Sequence, residues 1–263
     1  MNTEHIDIGL ARYSDWAFTS SIIVLVAALL LLAVELAYSR GRKVEARELV
    51  SAGAAVTADS NRPGVVVDEP ARSLDERLGK AGLALVYVGI ALLFACIVLR
   101  GLATARAPWG NMYEFINLTS FCGLVAGAIV LRKPQYRALW VFVLVPVLIL
   151  LAVSGKWLYT NAAPVMPALQ SYWLPIHVSV VSLGSGVFLV AGVASILFLL
   201  KMSRFGEPGA QGALARIVAK LPDAQTLDRI AYRTTIFAFP VFGFGVIFGA
   251  IWAEEAWGRY WGW

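Results

Sequence analysis

The chain has 263 residues, of which 59% are hydrophobic and 15% charged, against about 45–50% and about 25% in an average soluble domain. The excess lies in long uncharged runs, which excludes an ordinary soluble enzyme, a disordered tail and a disulfide-rich secreted domain. The formal charge of +5 sits in the loops flanking those runs, so it reads as an orientation signal, and no nucleic-acid partner is expected.

In chain order, residues 1–16 are polar and lack the basic start of a secretion signal. Six stretches then carry the roughly 20 apolar residues that a membrane helix needs: 17–38, 82–100, 113–131, 137–153, 173–200 and 234–253. The expected fold is an all-α integral membrane protein, a bundle of about six transmembrane helices. A polar insert at 39–80 separates an outer tail and first span (1–38) from a membrane domain of five spans (81–263). A second polar loop covers 201–233, and Arg132-Lys-Pro-Gln-Tyr136 forms a tight turn.

With the amino terminus outside, 17 of the 22 Lys and Arg residues fall in inner segments. The five left outside are Arg12, Arg100, Arg106, Lys156 and Arg259. That asymmetry predicts an outer amino terminus. Pairs of glycines four apart, Gly123/Gly127 and Gly245/Gly249, let helix backbones approach closely in lipid. Pro146 and Pro240 are placed to kink two spans. Cys96 and Cys122 lie in apolar stretches without metal-ligand or CxxC spacing, as buried thiols do.

No phosphate-binding glycine loop, HExxH or GxSxG occurs. The tryptophans are unevenly placed. Trp16, Trp109, Trp157, Trp173, Trp252, Trp257, Trp261 and Trp263 fall at or near the outer face, and Trp140 at the inner one. Two readings stand side by side. An aromatic belt settles at membrane–water boundaries but should dress both. Rigid indoles interleaved with glycine, as in Trp257-Gly-Arg-Tyr-Trp-Gly-Trp263, form a surface on which a planar apolar ligand can stack.

His5 belongs to the polar tail. His177 lies one turn into the fifth span, where an ionisable group needs a partner and is a functional candidate. It is either a hydrogen-bonded imidazole between helices or an axial ligand of haem iron. Glu114 opens the third span, where it either favours the helix amino terminus or orients a ligand or side chain in the same vestibule. Glu254 and Glu255 read as interfacial charges.

Three stretches carry a resemblance: Trp109-Gly-Asn-Met-Tyr-Glu114, Pro167-Ala-Leu-Gln-Ser-Tyr-Trp-Leu-Pro-Ile-His177-Val, and Ala256-Trp-Gly-Arg-Tyr-Trp-Gly-Trp263. Over about 80–263 the chain resembles the tryptophan-rich, haem-handling WWD family of cytochrome c biogenesis, of the CcsA/ResC type. The resemblance implies a membrane subunit of a cytochrome c synthase, in the plasma membrane. It would hold haem b on the outer face and present it to the CxxCH thiols of apocytochrome c, beside a ResB-type membrane partner. His177 would be an axial ligand. Trp257, Tyr260, Trp261 and Trp263 would belong to the aromatic platform, with Trp173, Trp109 and Glu114 around it. The family's pattern continues beyond Trp263 with an Asp, further spans and a second outer histidine. A carboxyl-truncated member is therefore expected, giving one-histidine ligation at most and an incomplete synthase. From another class, the alternative is a transporter of a small or lipid-linked molecule with a tryptophan-lined outer vestibule.

Overall fold

The computed structural model describes residues 6–38, 74–164, 170–207 and 209–262. Among these there are helices and turns but no strand. Six helices are long and apolar enough to cross a membrane: α1 (Ile8–Tyr38), α2 (Leu74–Ala103), α3 (Met112–Val130), α4 (Leu139–Trp157), α5 (Trp173–Met202) and, after the one-turn α6 (Ala213–Val218), α7 (Ala224–Trp257). The chain is a multi-pass membrane protein.

Each helix contains its predicted apolar stretch almost whole, and three run well past it. Hydropathy locates only the part that would sit in hydrocarbon, whereas a helix continues wherever its backbone bonds can form. Thus α1 begins nine residues early, where Asp7 accepts the Leu10 N–H at 3.0 Å and Ser14 donates its hydroxyl to the Cys96 carbonyl of α2 at 2.9 Å; within the predicted stretch Ser21 does the same to the Gly89 carbonyl at 2.9 Å. The part of the polar insert from 74 to 80 is the start of α2, and 39–73 lies outside the described residues. The loop expected over 201–233 contains a 3₁₀ turn (Arg204–Gly206), α6 and the first turns of α7. Val218, Leu221 and Leu227 of this region are buried with the main core, which apolar content over a long window overlooked. Pro146 and Pro240 both lie inside continuous helices.

The helices run alternately up and down. One end of the bundle carries the starts of α1, α3 and α5 and the ends of α2, α4 and α7. Trp16, Trp109, Trp157, Trp173, Trp252, Trp257 and Trp261 sit toward this end, called here the tryptophan end. Trp140, at the opposite end, is 1% exposed and packs against Gly127, so it is a core residue and not half of a belt.

Helices α1–α4 enclose the main core, which includes Leu25, Leu93, Tyr113, Leu144 and Leu151. α5 packs on α3 where Gly123 meets the Gly186 backbone; a methyl group at Gly186 would sit 2.5 Å from the Gly123 nitrogen. α7 packs extensively on α5 alone. Only 11% of its apolar window is buried in the chain, against 28–44% for the other five helices. α7 is therefore the peripheral helix, and it carries the candidate site.

Candidate functional site between the fifth and seventh helices

Trp173, His177, Val181, Gly184 and Phe188 recur at spacings of four and three along α5, one face of a helix. Each meets α7. Trp173 stacks on Phe248 with centroids 6.0 Å apart, and Phe188 meets Phe242 edge-on at 5.8 Å. A Cβ at Gly184 would stand 2.9 Å from the Phe242 backbone, and one at Gly245 would stand 2.5 Å from Val181 Cγ2. Without a hydrophobic drive between helices in lipid, such close approach supplies the packing.

The Gly245/Gly249 pair does more than let backbones touch. The Gly245 carbonyl lies 2.7 Å from His177 Nδ1. A carbonyl can only accept, so Nδ1 carries the hydrogen; in the neutral imidazole Nε2 then holds the lone pair, the arrangement that a metal-bound histidine needs. A methyl group at Gly249 would sit 2.6 Å from His177 Cε1 and 2.7 Å from Nδ1. The absence of that side chain is what admits the imidazole. Gly249→Ala is expected to displace the ring at a cost of about 1–3 kcal/mol. The readout is faster carbethoxylation of His177, followed by mass spectrometry, together with a lower melting temperature; an unchanged rate at His177 would contradict the packing argument.

His177 is half-buried and lies parallel to Trp252, with 8° between planes and centroids 6.0 Å apart. Trp252 meets Trp257 edge-on at 4.8 Å. α7 ends at Gly258, whose φ of 65° is the left-handed conformation that glycine adopts without strain and whose N–H bonds the Glu254 carbonyl. The chain then turns so that Tyr260 and Trp261 join a cavity of about 500 Å³ lined also by His177, Trp252, Trp257 and Arg259. That volume is within the range of about 300–1,000 Å³ usual for small-molecule sites. Trp257, Tyr260 and Trp261 are 56%, 61% and 67% exposed, so their aromatic surface faces outward from the protein core.

Of the residues singled out in the sequence, the structure brings His177, Trp257, Tyr260 and Trp261 into one cavity. Trp263 lies outside the described residues. Trp173 sits one turn from His177 on the same face of α5, against Phe248. Trp109 lies elsewhere: its Nε1 donates to Ser179 Oγ at 2.7 Å, and Ser179 donates to the Pro175 carbonyl at 2.6 Å. Residues 177 and 179 are about 200° apart around the helix, so Trp109 braces α5 from behind.

Glu114 is also outside the cavity. Helix α3 is capped by Asn111, whose Oδ1 accepts the Glu114 N–H at 2.9 Å. Glu114 reaches back to accept the Gly110 N–H at 2.8 Å, a variant of the reciprocal capping box. Its carboxylate also takes Arg100 Nε at 3.3 Å and Arg106 Nη1 at 3.1 Å. Arg100 continues to the Thr160 carbonyl, to Asp15 at 3.5 Å and to the faces of Tyr113 and Tyr159. Arg106 donates to the Ala163 carbonyl at 3.0 Å. These bonds knit the 104–111 and 158–163 loops into the tryptophan end.

Three contributors went unmarked. Trp252 was visible only as one tryptophan among many. Its indole Nε1 is buried and has no hydrogen-bond partner among the described residues. Arg259 puts a cation at the cavity. Glu255 accepts the Ser171 hydroxyl at 2.6 Å, tying the end of α7 to the start of α5, so it is not an idle surface charge.

A family profile described as Cytochrome C assembly protein matches residues 109–263, which span every element of this site. The chain belongs to this family. Among its relatives is the cytochrome c biogenesis protein CcsA of Guillardia theta, 32% identical over 199 residues, covering 67% of this chain and 66% of that one. The CcsA of Rippkaea orientalis is 30% identical over 251 residues, covering 74% of this chain and 72% of that one. The CcsA of Synechococcus sp. RCC307 is 32% identical over 205 residues, with shares of 68% and 64%. The chain thus spans about two thirds of the length of the curated relatives it matches. As a member, it is a membrane protein of cytochrome c biogenesis.

Proposed function

We propose that the α5–α7 cavity holds haem b on the outer face of the plasma membrane and presents it for covalent attachment to apocytochrome c, beside a ResB-type membrane partner. The single observation that carries this reading is the bond from His177 Nδ1 to the Gly245 carbonyl in a cavity walled by indoles. It directs Nε2 to serve as an axial ligand and fixes the ring. The donor set suits the group. Flat aromatic surface from Trp257 and Trp261 matches a porphyrin plane. The Arg259 guanidinium suits a carboxylate such as a propionate. Tyr260 adds a phenol to the same wall.

When bound, haem supplies the vinyl groups that accept thiols. The chain's own part is to bind, to orient and to limit access of water. His177 would hold the iron, Trp252 lies parallel to the imidazole and limits its turning, and the left-handed turn at Gly258 brings Trp261 to the cavity wall. Trp173 and Trp109 hold α5 in place from its two sides. Glu114 acts at a distance by fixing the loops next to Trp109. An outer amino terminus, as the Lys and Arg distribution predicts, sets the tryptophan end on the side where apocytochromes mature.

The test is the absorbance of the protein purified from haem-replete cells, followed by the pyridine haemochrome assay. A Soret band with a b-type haemochrome is expected. A porphyrin-free protein from a haem-replete host would overturn the reading.

A further inference from the structure

The end of the bundle opposite His177 has its own cavity, of about 520 Å³, between the end of α3, the middle of α5 and the start of α7. Four cations line it: Arg132 and Lys133 from the turn after α3, and Arg229 and Arg233 from α7. All four are exposed, and among the described residues none makes an ion pair. The Asp223 carboxylate feels Arg229 but is spent on capping α7 through Thr226, at 3.0 Å to its N–H and 2.8 Å to its hydroxyl. No Asp or Glu lines the cavity.

Toward mid-membrane the lining changes character. Ile129, Val187 and Phe237 form an apolar trough, with Ile129 65% and Phe237 53% exposed sideways from the bundle. α3 and α7 form its walls, and α5, which packs on both, forms its floor. Along α7 the cavity runs from Thr226 to Phe237. At 1.5 Å per residue that is about 16 Å, of which about 6 Å, from Arg233 to Phe237, lies beyond the cations. Cations at the boundary, an apolar trough starting directly below them, and a side open to the bilayer describe one kind of occupant.

We infer that this groove binds an anionic phospholipid, with its phosphate among Arg132, Lys133, Arg229 and Arg233 and an acyl chain along Ile129, Val187 and Phe237. A scatter of cations that only sets topology would need no shared cavity. Basic pockets between membrane helices are recognised sites for acidic headgroups. The inference is independent of haem, since it concerns the other end of the chain.

The test uses the full chain in non-ionic detergent, with native mass spectrometry as readout. The protein is incubated with dioleoyl phosphatidylglycerol, dioleoyl phosphatidylcholine, or the soluble headgroup analogue glycerol 3-phosphate. Phosphatidylglycerol is expected to remain bound under activation that removes phosphatidylcholine. In R229Q/R233Q its occupancy should fall about tenfold or more, given what each cation contributes near an anionic headgroup. R204Q/R216Q removes the same charge from exposed positions at the same end, outside the groove, and should leave occupancy unchanged. Equal retention of the two lipids would overturn the inference, as would equal losses in the two double variants. Displacement of the lipid by equimolar glycerol 3-phosphate would also overturn it, pointing to a soluble phosphate ester as the ligand. Matching circular dichroism melts verify that the exposed substitutions leave the fold intact.

Discussion

His177→Ala is expected to lower the haem bound per purified chain at least about tenfold, the lower end of what losing a group that merely supports a metal ligand costs, because here the ligand itself is removed. The reason is local. Among the cavity's lining residues, the other side chain able to ligate iron is the Tyr260 phenol, a ligand in some haem proteins. The measurement is haem per chain with the Soret position, repeated in millimolar imidazole. Because the deleted ring leaves a space bounded by Trp252 and Gly249, added imidazole should restore the band. Tyr260→Phe is expected to alter the spectrum far less than His177→Ala. Full haem occupancy in His177→Ala, with an unshifted band, would sink the assignment of the iron ligand.

Glu114→Ala is expected to produce the largest loss of stability, about 3–5 kcal/mol, the usual cost of removing one member of a buried ion pair. Glu114 is 3% exposed and Arg100 1% exposed. The truncation leaves the Arg100 guanidinium with the Thr160 carbonyl and the longer Asp15 contact, leaves Arg106 with backbone carbonyls alone and removes the acceptor for the Gly110 N–H. Pairing it with Arg100→Met should recover much of the loss, since a buried ion pair replaced whole by apolar groups is often close to neutral. Thermal unfolding of the single and double variants in detergent checks both statements. A melting temperature unchanged by Glu114→Ala would mean that the network contributes nothing to the fold.

How much of this was legible beforehand depends on how local the signal is. The six spans were, because about 20 uncharged residues can be counted in one window. The meeting of His177 with Trp257 and Trp261 was also anticipated, since alternate up-and-down helices bring the start of α5 beside the end of α7. What stayed hidden was direction around a helix. Trp109 and His177 belong to the same end of the bundle, yet Trp109 touches α5 on the side opposite to the one His177 presents to α7. Glu114 looked like a lone carboxylate at a helix start. Its two arginines lie 14 and 8 residues earlier, across a loop whose path no periodicity reveals. Likewise Gly249 read as a contact between helices, and only coordinates show that its missing side chain makes room for an imidazole.

The attachment of α7 bears on how this molecule comes apart. Its buried residues are Leu227, Ile230, Ala231, Thr234, Ala238 and Gly245, so none lies beyond position 245. From there to Trp257 the helix is an outrigger, moored to one neighbour by a glycine seam and the Ser171–Glu255 bond. Loosening that mooring would open the cavity while α1–α4 keep their interior, so a single melting point would describe the hull and miss the outrigger.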